Sequence, residues 1–241
     1  IMRMAGIPPT IITTMPEGLR AASSPQSLVR LMVWLSPAFP VGGFAYSGGL
    51  EAAVTEGHVR DGEGLARWVD TLLSAGSLRN DAILLCEAYR GFADPRRLSA
   101  VAALAAALAP SGERYQEAIH QGDAFVAAAS AWPHPVLAEL GPGTAYSVAV
   151  GAVAAAHGVA LADTLLAFLQ AQCGQLASAA IRLGLIGQRQ SVGMLAALEA
   201  RLIAQSQSFQ SLGLDDLGSA TVLADILSLR HETQYSRLFQ S

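Results

Sequence analysis

The chain has 241 residues, enough for one large domain or two small ones and for a sizeable buried core. It is 52% hydrophobic and only 14% charged, with a net charge of −4 and all fifteen basic residues Arg. The absence of a basic run argues against nucleic acid as the main partner. Mean hydropathy is +0.38, and much of it comes from alanine, the best helix former. Low charge on a chain this size fits an alanine-rich composition, and it also fits surfaces that are covered by partners.

Residues 1–23 contain three prolines and no sustained period, and are expected to form a mobile arm. Pro8, Pro9 and Pro16 interrupt any signal-peptide core. Beyond them nearly everything reads as helix. Ser24 caps a helix opened by Pro25, with Leu28, Leu31, Met32 and Leu35 at helical spacing, and Ser36-Pro37 ends it. Further helices are expected over 47–56, from an Asp61 cap through Leu73, over 80–89, from Asp94-Pro95 to Leu108, and from Ser111 to Trp132-Pro133. Helices over 144–157, 163–183, 191–207 and 219–230 complete the set. No alternating strand or hairpin turn is found. The expected fold class is therefore all-α: a single-domain bundle of about ten helices over 24–230, with a tail at 231–241. Glycines 151, 174, 184 and 193 lie in or beside apolar helices and suggest close helix–helix approach.

Two long stretches free of Asp, Glu and Arg, 140–162 and 164–181, are broken by Gly, Pro, His or Gln, so no clean membrane span is expected. Cys86 and Cys173 stand alone in apolar segments and form no CxxC, which reads as reduced core thiols in a cytoplasmic protein. The five histidines lack HExxH spacing. There is no phosphate-binding loop and no GxSxG elbow. Asp215-Asp216 sits in a loop-like context where it caps or solvates.

Two segments are rich in contact-making residues. The first is SPAFPVGGFAYSGGLE, 36–51, an irregular loop in which glycines and prolines surround aromatics; its candidate interface residues are Pro37, Phe39, Pro40, Gly42, Phe44, Tyr46, Ser47 and Glu51. One reading tucks the aromatics into the core. The other presents them to a partner. The second is the tail RHETQYSRLFQS. As a helix it would align His231, Tyr235 and Leu238 at i, i+4 and i+7, with Phe239 beside them.

These residues are similar to a known family. SPAFPVGGFAYSGGLE, the run CGQLASAAIRLGLIGQ from Cys173 to Gln188, and the closing LRHETQYSRLFQS occur in the order seen in urease accessory protein UreF. The resemblance covers roughly 26–241 and is loose over 92–135. Ala45 and Gln240 depart from it, where Ser and Arg are usual. It implies a non-enzymatic, dimeric, all-helical chaperone that binds UreD (also called UreH) and the GTPase UreG and delivers nickel to apo-urease. It also implies that nickel and GTP are handled by those partners, with no cofactor bound directly. The tail residues Arg230, His231, Glu232, Thr233, Gln234, Tyr235, Arg237, Leu238 and Phe239 are then partner-binding and are expected to order when the partner arrives; the other reading folds the tail back onto its own chain. The alternative is a small all-α hydrolase or lyase using His231, Glu232 or Tyr235.

Overall fold

The computed structural model describes residues 22–241, so most of the segment expected as an arm lies outside the described residues. The helices are α1 (Pro25–Trp34), α2 (Leu50–Thr55), α3 (Gly62–Ala75), α4 (Ser77–Gly91), α5 (Pro95–Ala107), α6 (Gly112–Ala129), α7 (Val136–Glu139), α8 (Tyr146–Ala156), α9 (Leu161–Arg182), α10 (Gln188–Phe209) and α11 (Val222–His231). Short 3₁₀ turns occupy Gly43–Ala45 and Leu214–Asp216, and no strand occurs among the described residues. The all-α expectation holds. The single turn α7 is an element that the periodicity does not show.

Local chemistry sets several starts. The Ser24 side chain accepts the Ser27 N–H, Asp61 accepts that of Gly64, Asp94 those of Arg96 and Arg97, and Ser111 that of Arg114. Each satisfies a donor that the first helical turn leaves without an internal partner. Ser23 is also anchored: its N–H donates to Asp163 and its hydroxyl accepts from Ala160 N–H.

The core forms around α8. Its residues Tyr146 to Ala154 are all buried, so this helix has no solvent face and is sheathed by neighbours. α4 crosses it so closely that a Cβ on Gly151 would lie 2.3 Å from the Leu85 carbonyl oxygen. At the contact between α6 and the entry to α8, a Cβ on Gly122 would lie 1.9 Å from the Thr144 carbonyl. By contrast Gly193 has open space around it, Gly174 meets only a distant Gln170 side chain, and Gly184 terminates a helix at φ +70°. Of the four glycines singled out in sequence, one makes the close crossing.

An aromatic cluster fills one end of the core. Trp34, Phe39, Phe125, Trp132, Tyr146 and Phe168 meet with ring centroids 5.6 to 6.5 Å apart, mostly in tilted or edge arrangements. α9 is long and apolar enough to cross a membrane by length and composition. Here it is a bundle helix, with Leu165, Phe168, Leu169 and Cys173 wholly buried. Burial pushes the Cys86 and Cys173 thiols up to about 12, so both stay protonated and unreactive.

Candidate functional site

The loop and the tail, 180 residues or more apart in places, form one structure. α11 ends at His231, and residues 232–241 are not helical. The expected helical stripe of His231, Tyr235 and Leu238 is therefore corrected. The imidazole is buried while Tyr235 is fully exposed and Leu238 half-exposed. The physical reason is that the backbone N–H groups after His231 find acceptors on α2 and on the loop, in place of a further helical turn.

Glu51 is the centre of this arrangement. It lies in the first turn of α2, is 5% exposed, and follows Gly48 and Gly49, whose φ values of +62° and +82° favour glycine. Gly49 also lies where α11 passes: an added Cβ would sit 3.6 Å from Ser228 Cα. The Glu51 carboxylate accepts the Leu238 N–H at 2.7 Å, the Phe239 N–H at 2.9 Å, and faces His231 Nε2 at 3.0 Å. His231 is 0% exposed. Its Nδ1 lies 2.6 Å from Glu113 Oε2 on α6, and Arg237 donates to the other Glu113 oxygen. Each contact between a ring nitrogen and a carboxylate needs one proton, so the trio shares two. The imidazole lies between the two carboxylates, and among the described residues no group of three His, Cys, Asp or Glu side chains could hold a metal ion together.

The remaining tail residues are placed by similar bonds. Glu232 accepts the Gly112 N–H at 2.8 Å, a carboxylate at a helix N-terminus. Arg230 pairs with Glu56 at 2.6 Å. The Thr233 hydroxyl donates to the Arg230 carbonyl and the Gln234 N–H to that of His231. The Ser241 hydroxyl donates to Glu117 at 2.5 Å, and its carbonyl accepts from the Ser47 hydroxyl and, at 3.0 Å, from the Ser47 N–H. The two positions that depart from the resemblance meet here: Gln240 N–H donates to the Ala45 carbonyl at 2.8 Å. Only main-chain atoms take part, so neither side chain is needed for that bond.

The loop residues divide by burial. Phe39 and Tyr46 belong to the interior, and the Tyr46 hydroxyl lies 3.1 Å from His120 Nδ1. Ser47 and Glu51 are buried in the tail seat. Pro37 and Pro40 are exposed, and Gly42 turns the chain at φ +71°. Phe44 points outward and is 75% exposed. Arg182, the last residue of α9, donates to the Phe44 carbonyl and stacks over the buried Phe239 ring, 4.3 Å from its centroid. The large apolar side chains that the loop and tail leave exposed are Phe44, Tyr235 and Leu238. Sequence reasoning did not single out Arg182, Glu113, Glu117 or Ser241. Arg182 and Glu113 look like ordinary charges in the last and first turns of helices, and nothing local marks them.

The model of the UreF family matches residues 59–199. Urease accessory protein UreF of Agrobacterium fabrum is 56% identical over 223 residues, covering 92% of this chain and the whole of that protein. The chain belongs to the UreF family. UreF of Rhizobium etli is also 56% identical, over 216 residues and 90% of the chain. UreF of Mesorhizobium japonicum is 52% identical over 89% of it. As a UreF-family member the chain is an accessory protein of urease and not a catalyst. The hydrolase alternative is also hard to build from the geometry. His231 is enclosed, Glu232 is bonded to the α6 terminus, and Tyr235 projects into solvent.

Proposed function

We propose that this UreF-family chain is a scaffold of urease maturation that joins UreD (UreH) to UreG and supports nickel insertion into apo-urease. Nickel and GTP are handled by those partners, and the complex works in the cytoplasm. The observation that carries this reading is the seated tail. It leaves Tyr235 and Leu238 exposed, and the loop it seats against exposes Phe44, whose carbonyl Arg182 binds; Tyr and Arg are residue types that dominate interface energies. UreD docks there. A homodimer is the second part of the proposal. The outward side of α10 supports it, because Val192, Ala196, Ala200 and Ile203 are exposed and only Arg189 and Glu199 carry charge beside them.

Size-exclusion chromatography with light scattering tests both parts, on the chain alone and mixed with UreD. A dimer that binds UreD is expected, and Phe44→Ala with Tyr235→Ala is expected to release UreD while the dimer persists. A wild-type chain that elutes apart from UreD would sink the scaffold reading.

A further inference from the structure

We infer that Glu51 is a positioning residue that sets the register of the tail, and through it the surface that UreD meets. The inference rests on the reading that UreD docks there. Glu51 itself is buried and touches no outer surface. Its two oxygens hold two successive backbone N–H groups, of Leu238 and Phe239. The chain bends at Leu238 and Phe239, which turns both N–H groups toward the one carboxylate and sends the two side chains to different sides. The Leu238 side chain faces out, 52% exposed, and that of Phe239 faces in, 4% exposed. A slip of the tail by one residue would carry Leu238 into the buried place of Phe239 and Phe239 into the exposed place of Gln240. The slipped tail would bury a leucine beneath Arg182 and expose the phenylalanine.

The carboxylate is held from behind. The Glu51 backbone N–H donates to the Ser47 hydroxyl at 3.2 Å, and Ser47 in turn binds Ser241. His231 links Glu51 to Glu113, which holds Arg237. The same buried group therefore grips the tail at 231, 238 and 239, with further bonds at 237 and 241. Main-chain recognition of this kind is independent of the tail's side chains.

The test uses the full chain with UreD and two readouts. Residue-resolved amide exchange reports the seat, and titration with UreD reports the docking. In the wild type, the Leu238 and Phe239 amides are expected to be protected, and those of Tyr235 and Ser236, which have no acceptor, to exchange freely. Glu51→Gln replaces one oxygen by an NH₂ that opposes a backbone donor. Its melting temperature is expected to stay within a few degrees of wild type, while exchange at 238 and 239 rises at least tenfold and UreD affinity falls at least tenfold. Glu51→Asp keeps the charge and should recover part of both; it also carries the comparison if the Gln protein does not fold. Phe44→Ala should weaken UreD binding with no change in exchange. Free exchange at 238 and 239 in the wild type would overturn the inference, as would a Gln variant unchanged in both readouts. If exchange rises and UreD affinity holds, the docking reading fails, and the inference with it. If wild type does not bind UreD at all, the docking reading alone is refuted, and the exchange pattern still decides the seat.

Discussion

Replacing Gly151 by Ala adds one methyl group at the crossing of α4 and α8. The new Cβ would stand 2.3 Å from the Leu85 carbonyl oxygen, 3.1 Å from its carbon and 3.2 Å from its Cα. All three atoms are backbone, so no side chain can swing aside, and the helices must separate by roughly 1 Å to restore the usual 3.5–4 Å packing distance. Overpacking of this kind costs about 1–3 kcal/mol, against a gain of about 1 kcal/mol from exchanging a helical Gly for Ala. α8 is buried on every side, so the strain has no exit to solvent and the upper part of that range applies. A net loss of about 2 kcal/mol corresponds to a fall of roughly 4–8 °C in Tm for a chain of this size. Gly193→Ala is the matched control. It makes the same chemical change in α10, where nothing lies within 4 Å, and it should raise stability by up to about 1 kcal/mol. Both variants can be followed by circular dichroism on heating and by urea unfolding. Equal shifts of the same sign in the two proteins would refute the close-crossing argument.

His231→Ala should destabilise the fold by about 3 kcal/mol, because it leaves two buried carboxylates without their shared donor; urea unfolding measures this, and a loss under 1 kcal/mol would contradict the buried network. Gln240→Ala should change stability by less than about 0.5 kcal/mol, since only the main chain of Gln240 bonds to Ala45; a larger loss by the same assay would show that its side chain matters. Burial pushes the Asp81 carboxyl up to about 6, against the pull of Arg114 and the Ser147 hydroxyl. The folded form therefore holds its proton more tightly than the unfolded chain, whose value lies near 4. The stability this contributes is full below about pH 4 and is lost as the pH rises through 6, by about 2 kcal/mol at most once the partial exposure of Asp81 is discounted. In Asp81→Asn that decline should vanish, so unfolding profiles of the two proteins taken from pH 4 to 7 should diverge; parallel profiles would show that the group does not titrate in this window.

The amino-acid sequence by itself determined the class of the fold and most of its helices. Helical spacing, Ser and Asp caps, and Pro and Gly joints are local signals, and they act within a few residues of one another. The sequence also marked the two segments that form the site, because aromatics and charges concentrated in a loop and a tail stand out against an alanine-rich background. Tertiary structure decided everything that depends on partners distant in the chain. The tail reads as one more helical turn, yet its N–H groups bond to Glu51 and Ala45, nearly two hundred residues away. The glycines at 151, 174 and 193 look alike in sequence, and only the crossing with α4 gives the first its role. Glu113 and Arg182 carry no local mark at all. A charged side chain at a helix end satisfies the same local rule whether it faces water or closes a site, and only the packing of the helices distinguishes the two.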